Sequence, residues 1–103
     1  MKIISKAAFQ VKLLPKTGVF AENKDIARDI RIKYLMPVLE KNGEITLDFE
    51  GVESATQSFV HALISELIRS LGSEILDNIY FKNCNKSIRE IINIVVDYMQ
   101  AAT

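Results

Sequence analysis

Phe59, Val60, Leu63, Ile64, Leu67, Ile68 and Leu71 stand at i, i+1, i+4, i+5, i+8, i+9 and i+12. At about 100° per residue these side chains fill one half of a helical wheel. Gln57, His61, Ser65 and Arg69 fill the other side. A helix of this kind must lay its apolar half on another layer, and short runs of strand length supply one. Ile45-Thr46-Leu47-Asp48-Phe49 precedes the helix and ends at Gly51; Asn78-Ile79-Tyr80-Phe81 follows it. Leu47 and Phe49 are expected to be buried in a central strand.

The remaining elements follow from local signals. Two β-like pieces come first, around Lys2–Ser5 and Gln10–Leu14, and Pro15, Thr17 and Gly18 mark a turn after them. Asn23 is a good N-cap for an amphipathic helix over Lys24–Leu35, in which Ile26, Ile30 and Tyr34 recur every fourth residue. Pro37 should kink or end that helix, or open a short second one. Asn42-Gly43 closes the segment. Ser54 and Gln57 have capping-box spacing, which starts the central helix at Ser54, and Gly72 stops it. Ser87 and Glu90 have the same spacing ahead of a last helix built on Ile88, Ile91, Ile92, Val95 and Met99, with Ile94, Val96 and Tyr98 widening its apolar arc. The order is β-β-α-β-α-β-α. Each helix has one dominant apolar side, so the expectation is an α/β domain over residues 1–103, with a roughly four-stranded mixed sheet covered by helices mainly on one face.

Composition narrows the function classes. A chain of 103 residues supports one core and leaves little room for a large enclosed active site. No apolar run of about 18 residues is present, so no transmembrane helix is expected, and the opening MKIISKAAFQ lacks a signal-peptide apolar block. Cys84 and His61 are the only residues of their kinds. An internal disulfide, a cysteine-based metal cage and a Ser-His-Asp constellation therefore lose most of their support. These features point to a cytoplasmic, non-enzymatic protein with no cofactor, metal or catalytic residue. Charge is uneven along the chain. Residues 1–42 carry nine Lys/Arg against four acids, a net +5, and the remainder four against nine, a net −5. The basic residues are scattered and lack interleaved aromatics, so the halves are read as complementing one another and no nucleic-acid partner is expected.

Asp48, Glu50 and Glu53 cluster near the carboxyl end of the central strand, where sites gather in parallel α/β sheets. Their plainer role is a solvated loop that compensates a helix N-terminus. His61 reads as a residue at the margin of the polar side, and Cys84 as a packed small side chain. Ser54, Thr56 and Ser58 crowd the turn into the central helix. A phosphate on one of them would add about −1.5 to −2 charge at pH 7 without unfolding the domain.

The stretch Leu47-Asp48-Phe49-Glu50-Gly51-Val52-Glu53-Ser54-Ala55-Thr56-Gln57-Ser58-Phe59 resembles the signature of a prokaryotic STAS-like domain family of unknown function, itself similar to the STAS domains of bacterial anti-sigma factor antagonists. The likeness extends from Phe20 to Asn85. In the antagonists a central LDLSGV-like strand precedes an Asp-Ser-Ser-Gly-Leu motif whose second serine is phosphorylated by a partner kinase. Aligned without gaps from Leu47-Asp48, that serine falls on Ser58, while the motif aspartate falls on Thr56, the first serine on Gln57 and the glycine on Phe59. The resemblance implies a regulatory protein-interaction module with Ser58 as phosphosite and a partner-facing turn of Glu50, Gly51, Glu53, Ser54, Thr56 and Gln57. It implies a histidine-kinase-like ATPase or anti-sigma-type partner; the alternative it leaves open is a small-ligand or nucleotide-sensing domain.

Overall fold

The computed structural model describes residues 8–102. The expected strand at Lys2–Ser5 lies outside them. Among these residues five strands and five α-helices follow in the order β1 (Ala8–Lys12), α1 (Leu14–Thr17), β2 (Phe20–Ala21), α2 (Lys24–Ile30), α3 (Met36–Leu39), β3 (Glu44–Asp48), β4 (Ser54–Ala55), α4 (Gln57–Leu71), β5 (Ile79–Lys82) and α5 (Lys86–Ala102). A π turn over Arg31–Leu35 joins α2 to α3, and a 3-10 segment over Ser73–Asn78 joins α4 to β5.

The mixed four-stranded sheet expected from sequence is not what forms. Among the described residues there is a three-stranded sheet in the order β1-β3-β5, parallel throughout, and a separate parallel pair, β2-β4. The direction has a simple cause. Helical segments lie between β1 and β3 and between β3 and β5, and a crossover of that kind returns the chain in the same sense. Register then sorts the faces. Val11 stands opposite Leu47, Ile45 opposite Ile79, and Leu47 opposite Phe81, so these side chains point to one side. The other side carries Gln10, Lys12, Thr46, Asp48, Tyr80 and Lys82, of which Asp48 alone is buried. Helices therefore cover one face, as the single apolar side of each helix required. The other face is polar enough to stand in water.

Asn23 caps α2 as expected, its side chain accepting from the Asp25 and Ile26 backbone N–H groups. Pro37 lies in the first turn of α3. Its missing N–H is absorbed by the widened turn before it, where the Met36 N–H reaches back five residues to the Arg31 carbonyl. Gly72 ends α4 at φ 88°, a conformation side chains rarely adopt, with its N–H on the Ile68 carbonyl at 2.8 Å.

Two caps differ from the expected ones. α4 starts at Gln57 rather than Ser54, because Thr56 Oγ1 accepts the Phe59 N–H at 3.0 Å while Ser54 is drawn into β4. α5 is capped by Asn85 rather than Ser87, with Asn85 Oδ1 accepting the Ile88 N–H at 2.9 Å. Asn85 Nδ2 also donates to the Glu53 carbonyl at 2.8 Å, tying the start of α5 to the turn before β4. Asn85→Ala is expected to cost about 0.5–2 kcal/mol, read as a lower midpoint in thermal denaturation; Ser87→Ala should leave the midpoint almost unchanged.

The core joins β3 to the helices: Ile45, Leu47 and Phe49 are fully buried, as are Phe59, Val60, Leu63, Ile64 and Leu67 of α4. α4 packs between α2 and α5. Among the described residues no helix is long and apolar enough to cross a membrane.

Candidate functional site: the N-terminal edge of α4

Parallel pairing of β2 with β4 builds the site. Phe20 stands opposite Ser54 and Ala21 opposite Ala55, and backbone bonds from Glu53 N–H to the Val19 carbonyl (2.8 Å) and from Thr56 N–H to the Ala21 carbonyl (3.0 Å) extend the pair. β2 leads into α2 and β4 into α4 within three residues, so the first turns of the two helices emerge together. Arg31 Nη1 holds them alongside one another by donating to the Ala62 carbonyl at 2.7 Å.

Ser58 is exposed as the second residue of α4, while Phe59 beside it is wholly buried. Where an alignment puts the antagonists' glycine, the bulky ring turns inward and leaves the hydroxyl accessible. Ser58 and Gln57 line an open groove of about 490 Å³ with Lys24, His61, Ala62, Val95 and Tyr98. Tyr98 is 63% exposed, and its ring lies 6.5 Å from that of His61, tilted by 57°.

The expected partner-facing turn is divided by the structure. Glu50 and Gly51 line a different groove, with Lys12, Leu14, Pro15 and Asp48. Gly51 has φ +84°, and a Cβ there would sit 2.7 Å from Leu14 Cδ2, so the turn is held against α1. Glu53 is exposed, Ser54 is half-buried in β4, and the Thr56 hydroxyl is committed to capping. Gln57 and Ser58 alone of the expected residues share the α4–α5 groove. Lys24 and Tyr98, its other polar walls, carry no local signal that marks them; the short β2–β4 pair is what brings Lys24 in.

Asp48, Glu50 and Glu53 do not converge either. No three His, Cys, Asp or Glu side chains come together as metal ligands among the described residues. Asp48 is 3% exposed and fastens three elements. Its Oδ1 accepts from Asn83 Nδ2 at 2.9 Å and from the Glu50 N–H at 2.9 Å, and its Oδ2 accepts from Gln10 Nε2 at 3.3 Å. The Asn83 amide and the Glu50 N–H hold the carboxyl below its ordinary pKa against the opposing effect of burial, with help from the charges of Lys82 and Lys12. Cys84 is half-buried, and burial pushes its thiol pKa up, which makes it a poor nucleophile.

A family model described as STAS-like domain of unknown function (DUF4325) matches residues 27–89. No curated protein and no solved structure matches the chain.

Proposed function

The chain belongs to the STAS-like domain family of unknown function, and on that premise we propose that it is a non-enzymatic regulatory module that docks a protein partner at the N-terminal edge of α4. The partner type, drawn from the likeness to anti-sigma factor antagonists, is a histidine-kinase-like ATPase of the same cytoplasm. Ser58 is the residue such a partner modifies: the γ-phosphoryl of ATP passes to Oγ, ADP leaves, and the hydroxyl proton goes to solvent. The observation that carries this reading is the placement of Ser58, an exposed hydroxyl on the rim of an open groove, beside a buried Phe59 that anchors the turn.

Titration calorimetry against the ATPase tests it. Ser58→Asp should keep the helical circular dichroism of the wild type, since an acid in the first turn of a helix is tolerated or mildly favourable. Its affinity should fall by about tenfold or more, because the partner then meets a carboxylate where it docks on a neutral hydroxyl. Thr56→Asp is the matched control: aspartate preserves the cap and places the same charge two residues away. Equal affinities for the wild type and a folded Ser58→Asp variant would remove the switch.

A further inference from the structure

Ala21 and Ala55 are partners in the β2–β4 register. Lys24 and Ser58 each lie three residues beyond that matched pair, one at the first position of α2 and the other at the second of α4. The two side chains therefore line the same groove, which His61 continues one turn along α4 and Tyr98 of α5 closes. Lys24, His61 and Tyr98 are the ionisable groups of its lining, and no carboxylate is among them. Asp25 and Asp97, the chain neighbours of Lys24 and Tyr98, do not line it.

We propose that this groove is a receptor, within the same chain, for a phosphate carried on Ser58, with Lys24 as its counter-cation. The inference rests on the reading of Ser58 as the modified residue and goes beyond it by naming what receives the modification. The helix end offers only a partial charge, and two of its N–H groups are already taken, that of Phe59 by Thr56 Oγ1 and that of Val60 by the Thr56 carbonyl, so it does not supply a full counter-charge. Lys24 does. A phosphate of about −1.5 to −2 charge outweighs one lysine, so modification turns the groove from cationic to anionic. An acidic segment of a partner that the unmodified groove attracts is then repelled.

The test installs phosphoserine at position 58 during synthesis of the full chain, so no kinase is needed, and follows the phosphate by phosphorus NMR as pH is varied. The second ionisation should fall below the usual value of about 6. Lys24→Met should raise it by about half a pH unit, the size expected for one unit charge a few ångströms away in a largely solvated groove. Phosphoserine installed at Ser87 is the comparison. Ser87 is the second residue of α5 as Ser58 is of α4, so it carries the same helix-end contribution but no Lys24. It should not respond to Lys24→Met. A titration at position 58 that Lys24→Met leaves unmoved overturns the proposal, and so does an equal movement at position 87. If Lys24 governs the installed phosphate while the ATPase neither binds the domain nor modifies Ser58, the receptor stands and the docking reading falls. The reverse pattern leaves the docking reading without this receptor.

Discussion

Leu63→Ala is expected to destabilise the domain by about 2–5 kcal/mol. Leu63 is fully buried in the middle of α4, the helix that packs between α2 and α5. Removing most of its side chain loses the burial of three carbons and leaves a cavity that a helix pinned on both sides closes only in part. Leu67→Ala, one turn on and equally buried, should behave alike. Arg69→Ala provides the contrast. Arg69 pairs with Glu66 at 3.1 Å, but the two side chains are 52% and 45% exposed, so its loss should stay within about 0.5 kcal/mol. Urea denaturation reads all three. A Leu63→Ala midpoint equal to that of the wild type would show that this side of α4 is not core.

Asp48→Ala should cost about 1.5–3 kcal/mol, the scale for losing hydrogen bonds to a charged acceptor. The carboxylate ties Gln10 of β1, the turn after β3 and the turn after β5 together, so its removal leaves Asn83 and Gln10 without that acceptor and loosens the carboxyl end of the sheet. The same group sets a pH dependence. Its pKa in the folded protein lies below the ordinary carboxylate value of 3.8. A depressed carboxylate contributes stability that is present in full above the unfolded value and is lost as pH falls through the folded one. Wild type should therefore lose stability below about pH 4 more steeply than Asp48→Asn, which cannot ionise. Parallel acid-side curves for the two would show that Asp48 does not contribute in this way.

The extent of legibility differed from element to element. Asn23, Gly72 and Pro37 act where their chemistry placed them, because each works on backbone groups within a few residues. β3 is central and buried as its apolar run required. The capping-box pattern points to Ser54 and Ser87, which Gln57 and Glu90 follow at the right spacing, and not to the caps that form, Thr56 and Asn85, which Phe59 and Ile88 follow. The choice between them depended on β4 pairing with β2, and on Asn85 also reaching the Glu53 carbonyl.

The helices with their single apolar sides, the buried central strand and the one-sided covering of the sheet were set by the sequence alone, because periodicity is a local property that every turn of helix repeats. The parallel sheet of three strands, the split of Glu50 and Gly51 from Gln57 and Ser58, and the meeting of Lys24 with Ser58 were decided by tertiary structure. All depend on pairing between distant segments, and a strand of two residues such as β2 or β4 is too short to leave any periodic trace of the partner it will find.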